Sequence, residues 1–476
     1  MISYALVYAM VYGGYSYLDP EYIPDERRDF IALHWLRCTK DVEKCAEGVA
    51  AESSVGTWTD IKTINEKVLK LYRARVFRIK KVSCNSAYIW IAYPMEHFDA
   101  KNIVQILASI KGNIFGMGEL LELKMLDVYL PKDFISEFKG PKFGVQGIRA
   151  MVGSEKRPHI GTIVKPKVGL SADEWAQVAM DAYTGGVDFV KDDENLVDQD
   201  FCKWTDRVDK MMDVISKVED ICGRRVLYAP NISDTYTRMI ERLDYLEKIG
   251  HNMAMLDMYV VGHGAAPEVI EYAHERGIAI HAHRAGYAAE ARGKFGCDFQ
   301  VYAKLWRLYG VDQLHVGTGV GKMEGNPALI RRYAEIVREK SVEEKMHMLS
   351  LAQNWDGLKN VMPVASGGLN PGLVPSVMAI FGRDVVIQAG GGIHGHPDGT
   401  KAGAKAMRDA VEAVINGEGF TETMSRSNEL RKAIEKWGYL KPHEVVAQME
   451  FIEKNAEIIA GIILSKGYDA FTAIFG

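Results

Sequence analysis

The sequence is poor in cysteine, in net charge and in long apolar runs, and each shortage removes a class of protein. Its six cysteines, Cys38, Cys45, Cys84, Cys202, Cys222 and Cys297, are scattered over 476 residues. They form no C-x-x-C pair, which argues against zinc ribbons and dithiol redox motifs, and they are too sparse for a disulfide scaffold. They read as reduced thiols, mostly core filler. Lys and Arg number 58 against 63 Asp and Glu, a formal net charge of −5. Such a chain has no general basic field with which to grip a phosphodiester backbone, so nucleic acid is not an expected partner. No uninterrupted apolar run reaches the roughly 18 residues that a membrane helix needs, so no membrane partner is expected. The apolar start, MISYALVYAMVYGGYSYLDP, lacks the basic flank of a signal peptide and breaks at Gly13-Gly14. It reads as a buried strand over 4–12, and the expected location is cytoplasmic.

What is present is ordinary globular material, 47% hydrophobic and 25% charged, which excludes disorder, collagen and coiled coil. The length predicts two or three domains. Residues 1–145 mix strand-like stretches (YALVYAMVY, RVFRIKKV, AYIWIAY, MLDVYL) with helix-like ones such as NIVQILASIKGN, which suggests an α+β domain. From His159 the texture changes to short apolar runs alternating with amphipathic helices. Eight runs stand out: 159–166, 187–195, 224–232, 253–260, 278–285, 313–319, 360–368 and 385–393. The first intervening helix shows the punctuation: Ser171 and Glu174 have the spacing of a capping box, Trp175, Val178, Ala179 and Ala182 form one stripe, and Gly185-Gly186 stops it. Eight such units predict a (β/α)8 barrel over 146–420, with a doubly wound open sheet as the alternative, because periodicity does not show closure. Residues 421–476 read as a helical extension.

In a parallel barrel the chemistry collects at the carboxyl ends of the strands. Nearly every run here ends in polar residues: Lys165 and Lys167, then Lys191, Asp192, Asp193 and Glu194, then His281, His283 and Arg284, then His315 with a loop reaching Lys322. The last two runs end in Ser366-Gly367-Gly368 and Gly390-Gly391-Gly392. Alternation puts Lys191 and Asp193 on one side of their strand, where Glu194 can join them. A lysine among carboxylates is ordinarily a salt bridge. At a barrel mouth, carboxylate oxygens also suit Mg2+, and a neutral Lys191 amine could add CO2 to give a carbamate, a third hard oxygen ligand. The paired glycines leave bare N–H groups for phosphates, with Arg284, His315 and Lys322 as candidate cations, so the expected substrate carries two phosphates. The stretch GTGVGKMEG lacks a P-loop because Met323 follows Lys322; it reads as a glycine-hinged lid. His281 and His283 have a spacing that could bind a transition metal, but no third ligand is obvious in the sequence. Acid–base work or phosphate contact is therefore expected of His283 and packing of His281. His394 and His396 receive no role, and MAMLDM (253–258) reads as barrel core.

Taken together, AAESSVGTWT, GNIFG, GTIVKPKVGLS, GGVDFVKDDEN, HAHRA, HVGTGVGKMEG, VASGG and QAGGGIHGHP resemble the large chain of ribulose-1,5-bisphosphate carboxylase/oxygenase, RuBisCO, over nearly the whole length. The resemblance implies a ferredoxin-like α+β domain before a TIM barrel, and Mg2+-dependent carboxylation of ribulose 1,5-bisphosphate to two 3-phosphoglycerates through an enediolate, with O2 competing for CO2. It implies that Lys191 is carbamylated by an activator CO2 and that Asp193 and Glu194 complete the metal site. Lys165 would protonate the product carbanion beside Lys167, while His283 would act in catalysis. Arg284 would bind phosphate, His315 and Ser366 would help hold one phosphate, Gly368, Gly390 and Gly391 with Thr57 and Trp58 the other, and Gly367 would also contact substrate. Lys322 would close over the new carboxylate. Glu52, Thr57, Trp58 and Asn113 would come from a partner subunit, making a homodimer or an oligomer of dimers, without small subunits.

The wording resembles the II/III or III-like forms. Two departures stand out: Tyr287 and Asn370 occupy positions where many relatives have histidine, which puts rate and CO2/O2 selectivity in question. The rivals are a RuBisCO-like enolase or isomerase of a related sugar phosphate, which usually lacks part of this residue set, and a non-catalytic sugar-phosphate-binding protein.

Overall fold

The computed structural model describes residues 15–57, 59, 61–322 and 325–476. The strand expected over 4–12 lies outside the described residues, as does Trp58. The first sheet is built from β1 (Asp29–Cys38), β2 (Arg75–Lys81), β3 (Ser86–Pro94) and β4 (Leu120–Tyr129), with the helices Val42–Glu52 and Ile103–Ile110 in the crossovers. Antiparallel pairing gives the spatial order β4-β1-β3-β2, the ferredoxin-like arrangement. Its central strand β1 is absent from the sequence expectations, although it is buried along nearly its whole length. Burial of Phe30, Leu33, Trp35 and Leu36 confirms that environment.

Eight parallel strands follow: β5 (His159–Ile163), β6 (Phe189–Lys191), β7 (Leu227–Ala229), β8 (Met253–Asp257), β9 (Ala279–His283), then, beyond β10 (Phe295–Cys297), β11 (Gln313–His315), β12 (Met362–Ser366) and β13 (Val386–Gln388). All eight fall inside the runs read from the sequence. Their order is β7-β6-β5-β13-β12-β11-β9-β8. The ends meet where Ile232 N–H donates to Met255 O at 3.0 Å and Met255 N–H to Pro230 O at 2.8 Å. The sheet is therefore a closed cylinder, and the open-sheet alternative is excluded. β10 leaves the barrel and pairs in parallel with β4, adding a fifth strand to the first sheet.

Packing follows from the periodicities. Inside the cylinder, Phe189, Leu227, Met253, Met255, Met362, Val364 and Val386 form one buried cluster, plugged at the amino-terminal end by Val145, Ile148 and Val152 of the helix Gly144–Val152. The helix Ala172–Gly185 has its capping box: Glu174 N–H donates to Ser171 Oγ at 3.3 Å, and Ser171 N–H to Glu174 Oε2 at 2.8 Å. Trp175, Ala179 and Ala182 bury the face read from the sequence. Charge is also buried. Asp188, just before β6, is bonded by Arg157, Arg224 and Arg408 at 2.6, 3.3 and 2.7 Å. A fully buried Lys304–Asp127 pair at 2.8 Å fastens the helix Phe299–Tyr309 to β4. Five helices from Phe420 to Phe475 cover the outside. No helix among the described residues is long and apolar enough to cross a membrane.

Candidate active site

The carboxyl ends of the strands converge on one polar mouth. Lys191, the last residue of β6, is 1% exposed. Its Nζ donates to Asp192 O at 2.8 Å and contacts Met255 Sδ at 3.3 Å, and its ion-pair contact with Glu194 Oε2 is distant, at 3.9 Å. Burial pushes this amine below the ordinary lysine value, against the pull of Glu194, Asp193, Asp257 and Asp192. Lys165, two residues beyond β5, reaches Asp193 Oδ2 at 2.8 Å, while Asn195 N–H and Nδ2 donate to Oδ1 at 3.1 and 2.8 Å. Burial works against the Asp193 charge, yet the bonds from Lys165 and Asn195 leave its carboxyl below the usual range. Asp192 points the other way, into a buried pair with Arg207 at 2.9 Å and a bond from Tyr228 O–H at 2.9 Å. The KDDEN run thus divides into an anchor and a site.

Opposite stand three imidazoles. His283 Nδ1 lies 2.7 Å from Asp257 Oδ1, and its Nε2 3.6 Å from Glu194 Oε2. The short Asp257 contact favours a proton on Nδ1 over the longer 3.3 Å approach of Ala285 N–H to that nitrogen, and it leaves Nε2 facing Glu194. The His283 and His315 rings sit 4.6 Å apart. His281, fully buried, spans Gln313 Oε1 at 2.7 Å and His315 Nε2 at 2.9 Å. Burial lowers the pKa of His281 and His315 well below the ordinary value, so both are neutral. His315, read from the sequence as a candidate phosphate contact, is also the third imidazole beside His281 and His283. The His281–His315 hydrogen bond commits their facing nitrogens, and no group of three or more His, Cys, Asp or Glu able to hold a metal occurs among the described residues.

The remaining rim is cationic and glycine-lined. The Arg284 guanidinium lies 4.4 Å from the Tyr287 and Phe299 rings, and its Nη1 is buried without a hydrogen-bond partner among the described residues. The loop carrying Lys322 rests on the turn after β12: a Cβ at Gly368 would meet Lys322 Cγ at 2.7 Å and its backbone nitrogen at 2.9 Å. Likewise a Cβ at Gly390 would stand 3.1 Å from Lys165 Cε. Met323 and Glu324, beyond Lys322, lie outside the described residues. Ser366 and Gly367 complete the turn, Gly391 opens the short helix Gly391–His394, and Lys167 is exposed.

Glu52, Thr57 and Asn113 are not brought to this mouth. Glu52 ends the helix Val42–Glu52 and Asn113 begins the turn Asn113–Gly116; no hydrogen bond or ion pair among the described residues joins any of the three to the barrel. Asn370 caps the turn Pro371–Leu373 through a 2.9 Å bond from Gly372 N–H. His394 bridges Thr162 and Thr400. Two participants are absent from the sequence reading, Asp257 and Asn231. Asp257 was subsumed in an apolar methionine run, although a carboxylate ending a barrel strand was a signal. Asn231 N–H donates to Asp192 Oδ2 at 2.9 Å, and its amide leans on the Glu194 carbonyl at 3.4 Å.

With this geometry in place, comparison with known proteins is decisive. The family model for the ribulose bisphosphate carboxylase large chain, catalytic domain, matches residues 144–437, and the model for its N-terminal domain matches 16–134. The chain belongs to the RuBisCO large-chain family. A relative named ribulose bisphosphate carboxylase from Methanocaldococcus jannaschii is 43% identical, covering 89% of this chain and all of the relative. One from Pyrococcus furiosus is 40% identical over 90% and 98%. Among solved structures, an archaeal Rubisco superposes with a TM-score of 0.85 at 37% identity, covering 90% of this chain and 100% of that one. A dimeric archaeal Rubisco from Hyperthermus butylicus gives 0.84 at 38% identity, covering 89% and 99%. The RuBisCO-like fold is accordingly of the archaeal, form III-like type.

Proposed function

We propose that the chain is a ribulose-bisphosphate carboxylase, using Mg2+ and a CO2-activated lysine, with oxygenation as a side reaction. The observation that carries this reading is Lys191: a buried amine whose nearest contacts among the described residues are a carbonyl and a thioether, with the Glu194 carboxylate at 3.9 Å, and whose burial favours the neutral form. A neutral amine adds CO2 and releases one proton, giving the carbamate. Two carboxylates alone are few ligands for a hard cation, and a carbamate supplies the missing oxygen, so the donor set of Lys191, Asp193 and Glu194 fits Mg2+. When bound, the ion supplies the positive charge that makes a sugar carbon acidic.

The chain's own groups divide the remaining work. Arg284, whose buried Nη1 has no hydrogen-bond partner among the described residues, binds one phosphate with His315, Ser366 and Gly367, while Gly368, Gly390 and Gly391 offer N–H groups to the other. His283, fixed by Asp257, keeps Nε2 available to take up or release a proton. Lys165 sits where its ammonium can protonate the product carbanion, with Lys167 adding charge nearby. Lys322, on its loop above Gly368, excludes water and faces the new carboxylate. Glu52, Thr57, Trp58 and Asn113 complete the site from a second copy, which makes a homodimer the smallest active unit, with larger assemblies of dimers and no small subunit.

The test is fixation of labelled CO2 into acid-stable product with ribulose 1,5-bisphosphate and Mg2+. The expected product is 3-phosphoglycerate; enolisation or isomerisation without incorporated label would replace this reading with that of a RuBisCO-like isomerase.

A further inference from the structure

Two lysines of the first domain reach across the domain boundary and close on one short barrel segment. Lys111 follows the helix Ile103–Ile110, two residues before Asn113. Its Nζ donates to Glu290 Oε1 at 2.8 Å and to Tyr302 OH at 2.7 Å. Tyr302 O–H donates to the other Glu290 oxygen, and Tyr259 O–H to Oε1 at 3.3 Å. Lys124 of β4, fully buried, donates to the carbonyls of Glu290, Ala291 and Gly293 at 2.5, 2.7 and 3.1 Å, which ties off the helix Ala288–Ala291. Charge-assisted bonds of this kind, in a site shielded by aromatic rings, hold their partners in one geometry.

Each end of this clasp leads to a different part of the proposed chemistry. On the barrel side, the helix carrying Glu290 starts directly after Tyr287, whose ring supports the Arg284 guanidinium. On the other side, Lys111 stands two residues before Asn113 in a closely packed turn: a Cβ at Gly112 would stand 1.9 Å from Ala108 O, and Ile114 is fully buried.

We propose that Lys111, Glu290 and Tyr302 form a positioning clasp that couples the phosphate-binding Arg284 segment of one subunit to the Asn113 turn that the same subunit lends to its partner. This rests on the reading above, in which Asn113 serves the second copy. None of the three touches substrate; they set where two substrate-binding groups stand in two different sites of the dimer.

The experiment uses the purified full-length enzyme and its variants Lys111→Met and Glu290→Gln. Both are expected to raise KM for ribulose bisphosphate about tenfold while kcat changes little, as for loss of a charge-assisted bond that orients binding groups. Lys111→Arg is expected to restore most of the affinity. Differently tagged subunits then give two mixed dimers, each with one working barrel. In the first, a Lys191→Met/Lys111→Met subunit is paired with wild type, so the working barrel receives an altered Asn113 turn. In the second, a Lys191→Met subunit is paired with a Lys111→Met subunit, so the working barrel has the altered clasp beside its own Arg284. Coupling requires a raised KM in both; a raised KM in one alone, or in neither, overturns it. Wild type in the same assay separates the two readings. An active wild type with unchanged variants removes the clasp only, and an inactive wild type removes both.

Discussion

Three residues apart on the same stretch of chain, Asp188 and Lys191 are both buried, and their surroundings treat them in opposite ways. Asp188, at the closed end of the cylinder, is met by three arginines. Burial by itself would raise its pKa, but Arg408 and Arg157 more than offset this and leave the carboxyl firmly ionised. Lys191, at the open end, has among the described residues no ion-pair partner nearer than Glu194 at 3.9 Å, and burial drives it toward the neutral amine. A charge whose partners are all supplied by the fold contributes stability; one left short of partners is available for reaction.

Substitutions should separate the two ends. Lys191→Met is expected to reduce CO2 fixation by at least about a thousandfold, because no carbamate can form, while the melting temperature does not fall; removing a poorly partnered buried amine costs little. A lower melting point with turnover retained would merge the two regions. Asp188→Asn should do the reverse. It leaves three arginines without a full counter-charge and is expected to cost about 3–5 kcal/mol in urea unfolding, with kcat of the folded fraction near wild type.

A pH series sharpens the contrast. Activation by CO2 needs neutral Lys191, so it is expected to fall as pH drops through that residue's depressed pKa, and to level off below the pH at which a free lysine would. The contribution of Asp188 has the opposite sign. Its native pKa is depressed, so its stabilisation is complete above the ordinary carboxylate range near about 4 and is lost as pH falls further. Activation, read as initial rate after preincubation, should therefore fail at a pH where circular dichroism still reports a native fold. Smaller effects follow around the mouth. Asp257→Asn releases the His283 tautomer and should lower kcat about 10- to 100-fold with little change in melting. Tyr287→Leu removes one ring from the Arg284 guanidinium, worth about 1 kcal/mol, and should raise KM about fivefold.

The barrel was legible because its strands alternate with helices whose ends are marked by capping residues and glycines, so each strand's carboxyl end could be located and its polar residues collected. Lys191 and Asp193 against Asp192 followed from the pleat alone. Closure was not legible, since it depends on Met255 bonding to Pro230 and Ile232, between strands that periodicity treats separately. Nor was β1, where charged residues at 25–29 and His34 and Arg37 interrupt the apolar run that made β3 conspicuous. The loss of Asp257 has another cause: an ionisable residue at the end of an apolar run is conspicuous only once the strand's length is known. His315 was legible as a strand-end residue, but its contact with His281 was not, because the two lie more than thirty residues apart and meet across neighbouring strands.

The fifth strand of the first sheet gives the two domains a shared edge. β10 comes from deep within the second half of the chain, yet it covers the flank of β4. An excised amino-terminal fragment would bare that flank and invite intermolecular strand pairing. Chimaeras between relatives that exchange the front of the molecule would accordingly behave better if residues 295–297 travelled with it, so that the seam for recombination follows the hydrogen bonds and departs from the order of the gene.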